Sequence, residues 1–253
     1  QKPDYKTKGN WYVRTILRDA ALPMTWLLLH TKISADQVTL ISLAVALVGM
    51  VALAMPGNGW FVAGVLLLQL WYYLDHVDGQ IARYRKTDCL TGRFLDFMTH
   101  HIVHVSLLFA MGFYGFEVTG RIAFILWGFI SAMAILVFNL SQDVKCKTFY
   151  EKIERQAVVV IQKRPVEAAS RKTSLPKKTF SFLHKLCEIH VMMNLLTLLA
   201  VLQPWMGAAD LRFCFLFFFG VLCPLIMVFK LSYILMRRKI DEDYRAFVDE
   251  RAL

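Results

Sequence analysis

The chain has 253 residues, 57% of them hydrophobic and 19% charged, and a mean hydropathy of +0.47, too apolar for an ordinary soluble domain, whose apolar share is about half. Its formal net charge of +10 comes with no RNA- or DNA-binding motif, and the basic residues gather at the ends of apolar runs, so nucleic acid is not an expected partner. The five cysteines show no paired C-x-x-C spacing, which argues against a disulfide framework or a zinc site.

The chain opens with "QKPDYKTKGNWYVR", a polar, basic stretch without the apolar core of a cleavable signal, so the first apolar run is expected to stay in the membrane. In the segment 10–30, Trp11, Ile16, Leu17 and Ala20 fall at helical spacing opposite Arg14, Arg18 and Asp19, as in an amphipathic helix lying on a membrane surface. Six apolar runs follow, each near the roughly 20 residues that a spanning helix needs. They are Gln37–Met55, Trp60–Ala82, Leu90–Tyr114, Gly120–Leu140, Val191–Trp205 and Leu211–Met236, a six-span bundle over 37–236 within one membrane domain covering 1–253. "PGNG", "GFEVTG" and "QPWMGAAD" mark tight turns at one end of the bundle. The other connections carry the charge. Ser141 to Glu188 alone holds eleven Lys or Arg against five Asp or Glu, and it suits anionic lipid headgroups. By the positive-inside rule these faces and both termini are cytoplasmic.

The chemistry lies in "LDHVDGQIARYRKTDCLTGRFLDFMTHHIVH", Leu74 to His104. On a helix, Asp75, Asp78, Gly79 and Ala82 share one face at the end of the second span, while Gly92, Asp96 and His100 step by four along the start of the third. A short loop makes the two helices neighbours, so three carboxylates are expected to converge at the inner interface. A carboxylate costs about 2.5–3.5 kcal/mol at mid-span on insertion scales. A hard divalent cation, Mg²⁺ or Mn²⁺, would compensate the cluster and equip it for phosphate chemistry. Gly79 and Ala82 lack the bulk that would keep a ligand off the helix backbone, and Arg83 can fork onto phosphate oxygens. His76 points away from the aspartate stripe, which suits a structural or interfacial role; His101 and His104 read as satisfied core histidines, although His104 lies near enough to the Asp96 face to support the site from behind; and Asn139, Gln142 and Asp143 either help line the same cavity or end the fourth span in water.

"DHVDGQIARYRKTDCLTGRFLD" reads D-x-x-D-G-x-x-A-R, eight residues, then G-x-x-x-D, and resembles the signature of the CDP-alcohol phosphotransferase family of membrane enzymes. The resemblance implies an all-helical integral membrane enzyme with a cytoplasm-facing site, expected in a plasma (inner) membrane. There an acceptor hydroxyl, with a lipid among the candidates, would attack the phosphorus bearing the alcohol of a CDP-linked donor, releasing CMP and forming a phosphodiester. It further implies a homodimer among membrane lipids. Carried onto this chain, Asp75, Asp78 and Asp96 would hold metal, Gly79 and Ala82 would admit the nucleotide, Arg83 would steady phosphate and Gly92 would leave room beneath the nucleotide. The chain departs from the pattern at its end: where the family has a fourth aspartate, beside the metal and acting as general base, it has His100. Imidazole, with an ordinary pKa of about 6.5, could itself be the base or a metal ligand. Alternatively, loss of the fourth carboxylate would leave a membrane scaffold that binds nucleotide without turning it over.

Overall fold

A computed structural model describes residues 17–155, 182–207 and 209–247, and its regular structure is entirely helical among those residues. In chain order the helices are α1 (Arg18–Leu29), α2 (Ala35–Ala54), α3 (Asn58–Arg85), α4 (Leu90–Thr119), α5 (Ala123–Arg155), α6 (Ile189–Leu202), α7 (Leu211–Met236) and α8 (Lys239–Phe247). A helical turn at 182–186 leads toward α6, and a 3₁₀ turn, Gln203–Trp205, ends it. Trp11, Arg14 and Ile16 of the expected surface helix, and 156–181 of the basic connection, lie outside the described residues.

Four helices are long and apolar enough to cross a membrane: α2, α4, α5 as far as Glu154, and α7. The six-span expectation is thus met by four on length and composition. The other two expected spans differ for distinct reasons. At 28 residues α3 is about 42 Å long, but its last third is the polar stretch that carries the aspartates. The apolar segment Ile189–Trp205 falls below the length of a spanning helix.

Local chemistry sets the helix ends. Ser34 and Gln37 form a reciprocal capping box, so α2 begins at Ala35, two residues ahead of the expected span. Gly57 and Gly120, at φ +108° and +68°, take backbone conformations at the two tight turns that a side chain would strain. Glycines also set how closely the helices pack. A Cβ on Gly64 of α3 would lie 2.9 Å from the Gly49 carbonyl oxygen of α2, and one on Gly112 of α4 would lie 2.7 Å from both the Gly128 Cα and the Phe124 carbonyl oxygen of α5. Small residues at such crossings let helix backbones touch, which suits association in lipid, where apolar burial gives little drive. Leu53, Phe61, Leu68, Trp71, Leu107 and Met111 fill the core between these pairs.

Polar clasps add to this packing. Gln69 of α3 donates to Asn194 Oδ1 (3.1 Å) and Thr197 Oγ1 (2.8 Å) of α6. At the end remote from the aspartates, Arg212 pairs with Asp210 (2.9 Å), donates to the Gly57 carbonyl (3.2 Å) and lies 3.8 Å from the Tyr114 ring centroid, while the Tyr114 hydroxyl donates to Asp210. That network joins the turn before α3 to the start of α7, satisfying a buried guanidinium from several sides.

The α4/α5 crossing tolerates no side chain between its backbones. Gly112→Ala is therefore expected to lower stability by about 1–3 kcal/mol through enforced backbone shifts, seen as a lower thermal midpoint in detergent, whereas Gly59→Ala, with nothing within 4 Å of the new methyl, leaves the midpoint within a degree or two or raises it.

Candidate active site

The end of α3 is held from one side by α1. Thr25 donates to Gln80 Oε1 (2.7 Å), Gln80 Nε2 donates to the Arg18 carbonyl (2.9 Å), and the Tyr73 hydroxyl donates to the Ala20 carbonyl (3.1 Å). Arg85 donates to the carbonyls of Leu28 (3.0 Å), Thr31 (2.8 Å) and Ile33 (2.5 Å), tying the end of α3 to the last turn of α1 and the loop that follows it. The outer face of α1 exposes Leu22, Trp26 and Leu27, so it is apolar where a water-facing helix would be charged.

On the other side, Thr39 of α2 donates to Asp78 Oδ2 (2.5 Å), and both residues are buried. This bond ties α2 to α3 just where the carboxylates begin. One face along, Asp75 meets the start of α4. Donor atoms of Asp75, Asp96 and His100 all lie within 4.8 Å of one another, the one such group among the described residues. His100 Nδ1 is 3.3 Å from Asp96 Oδ1 and 3.7 Å from Asp75 Oδ1, and its ring stands edge-on to Trp71 with centroids 5.4 Å apart. Two ligands at about 2.1 Å from a hard cation and at right angles to each other are separated by about 3 Å, so the Asp75 and Asp96 carboxylates, with ligand atoms within 4.8 Å of each other, fit a small divalent ion after a small closing movement.

His100 Nδ1 is also 3.0 Å from the Asp96 carbonyl oxygen, a distance and position that suit donation from Nδ1–H back along the helix. A nitrogen that carries this proton cannot also ligate metal. With Nδ1–H directed at Asp96, the remaining lone pair of the neutral ring is on Nε2.

The other expected residues lie close by. The Arg83 guanidinium folds over Gly79, where a Cβ would come within 3.1 Å of Nη1, so the space left by the missing side chain holds the arginine head. Ala82 is partly exposed on the same face. Gly92 leaves room for Asp36 of α2, whose Oδ1 would be 3.2 Å from a Cβ there. Asp78, anchored by Thr39, stands one turn from Asp75 and outside the compact donor set. Nδ1 of His76 lies 2.9 Å from the Tyr72 carbonyl oxygen and 3.7 Å from Asp75 Oδ2, so the ring reaches an aspartate it was expected to point away from, and it packs on Tyr72.

His100 is also part of the wall of a cavity of about 240 Å³, with His101, His104, Asn139, His184, Glu188 and His190. His101 pairs with Asp143 (3.2 Å), His190 with Glu188 (2.9 Å), and His104 Nδ1 lies 3.3 Å from the Asn139 amide. Reading the motif alone missed Thr39, Asp36, Trp71, His184 and His190. For the histidines the density at 100–104 and 184–190 was a signal in the sequence; Thr39, Asp36 and Trp71 had none.

Comparison with known proteins bears on this geometry directly. The family model described as CDP-alcohol phosphatidyltransferase matches residues 32–237, from the N-terminal side of α2 to the end of α7, with the whole aspartate motif inside the match. The chain belongs to the CDP-alcohol phosphatidyltransferase family. A crystal structure of the phosphatidylinositol phosphate synthase of Mycobacterium tuberculosis in apo form superposes with a TM-score of 0.51 at 13% identity, covering 84% of this chain and 95% of that one, a likeness of fold. A search of curated proteins found no significant match. Family membership makes the protein an integral membrane phosphotransferase of the kind that moves a phosphoalcohol from a CDP-alcohol donor to an alcohol acceptor in lipid synthesis, in a family that generally depends on divalent metal.

Because Asp78 takes its hydroxyl partner from a different helix, Thr39→Val is expected to cost about 1–3 kcal/mol by leaving a buried carboxylate without its donor. Thr39→Ser, which keeps the hydroxyl, should restore most of the lost thermal midpoint.

Proposed function

We propose that the protein catalyses metal-dependent transfer of a phosphoalcohol from a CDP-linked alcohol to a hydroxyl acceptor, releasing CMP, at the site where α3 and α4 bring Asp75, Asp96 and His100 together. The observation that carries this reading is the convergence of those three donor groups on the family motif. Asp75 and Asp96 hold Mg²⁺ or Mn²⁺, with Asp78 contributing from its Thr39-anchored position. When bound, the ion neutralises pyrophosphate charge and so makes the donor phosphorus open to attack. Arg83 meets phosphate oxygens from its place over Gly79, Gly79 and Ala82 border the nucleotide, and Gly92 keeps the floor of that site low.

His100 serves as the base. Its Nδ1–H is oriented by the Asp96 carbonyl and by the carboxylates of Asp75 and Asp96, which favour a ring positively charged after proton uptake. Its Nε2 lone pair takes the proton of the acceptor hydroxyl. The acceptor oxygen then forms its bond to the phosphorus that bears the alcohol, and the bridging P–O bond to CMP breaks with its electron pair leaving on CMP. An imidazole in this place makes up for the carboxylate that the family pattern has four residues after Asp96. Asp96 has a double part, holding metal and orienting the base.

Six spans, with α3 and the segment around α6 completing the bundle, cytoplasmic termini and a cytoplasmic active site in a plasma (inner) membrane accord with the charge at one end of the bundle and the glycine- and proline-rich turns at the other. The apolar outer face of α1 accords with a helix lying along the membrane surface. A homodimer accords with family membership.

The test is CMP release from a panel of CDP-alcohols by detergent-purified protein with Mg²⁺ or Mn²⁺ and a lipid extract. Release is expected with at least one donor and should fall at least a hundredfold in Asp75→Asn. Metal-dependent donor binding without CMP release from any donor would favour the scaffold reading. The base assignment has its own signature: the rate should rise with pH through the titration of a single group on the acid side, and His100→Ala should lose about 10²–10⁴-fold in rate together with that limb. Full activity in the alanine variant would remove His100 from the chemistry.

A further inference from the structure

Gln69 of α3 meets Asn194 and Thr197 of α6 where two apolar helices cross, and only part of their hydrogen-bonding capacity is used there. The Thr197 hydroxyl donates its one proton to the Met193 carbonyl (3.0 Å), so the Gln69 atom 2.8 Å from Thr197 Oγ1 is a donor, Nε2. The second proton of Nε2 goes to Asn194, 3.1 Å away, which makes the Asn194 atom there the acceptor Oδ1. Both amides are thereby assigned. The NH2 group of Asn194 and the carbonyl oxygen of Gln69 are left without a hydrogen-bond partner among the described residues, and Asn194 is exposed. In water such groups are ordinary; against hydrocarbon each costs free energy unless something pairs with it.

The groove between α3 and α6 is graded in the order of a lipid. Toward the aspartates, one turn from the amides, the His190 ring stacks on Tyr72 with centroids 6.2 Å apart and planes at 10°, and His190 lines the cavity that includes His100. In the opposite direction the exposed residues are aliphatic, Leu66 on α3 and Leu198 and Val201 on α6. From Gln69 to Asp75, α3 rises about 9 Å. In a glycerolipid an acyl ester carbonyl oxygen lies six bonds from a phosphorus on the third glycerol oxygen, roughly 7 Å when extended. An ester seated at the amides therefore leaves that phosphorus near the level of the carboxylates and the acyl chains against Leu66, Leu198 and Val201.

We infer that the α3/α6 groove seats the glycerol backbone of an ester-linked lipid substrate, with the Asn194 amide donating to an acyl ester carbonyl and the groove open sideways to the bilayer. Two sources share that chemistry: the lipid part of a CDP-diacylglycerol donor, and diacylglycerol as the acceptor. In either, the reacting phosphorus is, or becomes, bonded to the same glycerol oxygen. The inference rests on the transferase reading above, with α3 and α6 as spans, and narrows its substrates to a pair that includes an acyl glycerolipid. The competing occupant is a second copy of this chain, since two such amide pairs would complement each other across a two-fold axis.

The experiment measures CMP release in two arms: CDP-diacylglycerol with glycerol 3-phosphate, myo-inositol 1-phosphate or serine, and CDP-choline or CDP-ethanolamine with diacylglycerol. Each arm is repeated with the dialkyl ether analogue of its lipid, which lacks the ester carbonyl. The arm that turns over identifies the source. In it the ether analogue should show about a tenfold higher KM, and Asn194→Leu should raise the KM of the ester lipid about tenfold and bring the ester-to-ether ratio near one, as loss of one desolvated hydrogen bond implies. Loss of the clasp to Gln69 alone would slow both lipids alike and leave the ratio unmoved. Retention of ester over ether lipid by the purified protein, read by native mass spectrometry, reports on the groove without turnover. A ratio near one in the wild type, or unchanged in Asn194→Leu, overturns the assignment; if that variant also falls from dimer to monomer, the amides belong to a second copy. CMP absent with every pair while the ester lipid is selectively retained removes the transferase reading and leaves the lipid site, whereas the absence of both removes both.

Discussion

Carboxylates from two helices brought within a few ångströms of each other in an apolar bundle repel, and each forgoes much of its hydration. The rest of this protein is arranged around making that arrangement stand. Asp75 and Asp96 close on each other only with His100 Nδ1 between them, 3.7 Å from Asp75 and 3.3 Å from Asp96. The imidazole donor thus partly offsets the repulsion that a bound cation would offset more fully. This dual capacity, to meet the carboxylates through one ring nitrogen and keep a lone pair on the other, is something a fourth aspartate could not supply.

Such a cluster also needs a rigid frame, since a shift of an ångström at either helix would undo it. The frame comes from the flanks. Arg85 and Gln80 fasten α1 along the end of α3, and Thr39 fastens α2 to Asp78. Backbone contact at Gly49/Gly64 and Gly112/Gly128 fixes the two helix pairs at a separation that bulkier residues would widen. Far from the chemistry, the Arg212 and Asp210 network anchors the opposite end of α3 through Gly57. α3 is thereby held at both ends, and Asp75 and Asp78 ride on it.

The two sides of His100 differ in character. Toward Asp75 the surroundings are acidic and suited to metal and pyrophosphate. On the other side the walls are imidazole and amide, with each imidazole that faces a carboxylate matched locally in charge.

Much of this was legible in the residues. Helical spacing put Asp75, Asp78, Gly79 and Ala82 on one face and Gly92, Asp96 and His100 on another, and the short loop between the spans made them neighbours, because a helix repeats every 3.6 residues wherever it is placed. The boundaries of α7 matched the expected Leu211–Met236, where Asp210 caps a long apolar run. Local pattern could not decide which of three aspartates would meet. Asp78 turned to Thr39, 39 residues away in sequence, and the space over Gly79 went to Arg83. Nor could it show that histidines at 100–104 and 184–190 line one cavity, since that depends on how α4, α5 and the approach to α6 pack. Sequence by itself determined the helices, their apolar and polar faces and the motif, all set by short-range periodicity and side-chain chemistry. Only the tertiary structure decided which groups pair and which stay open to a ligand, because those outcomes depend on distances between segments remote along the chain.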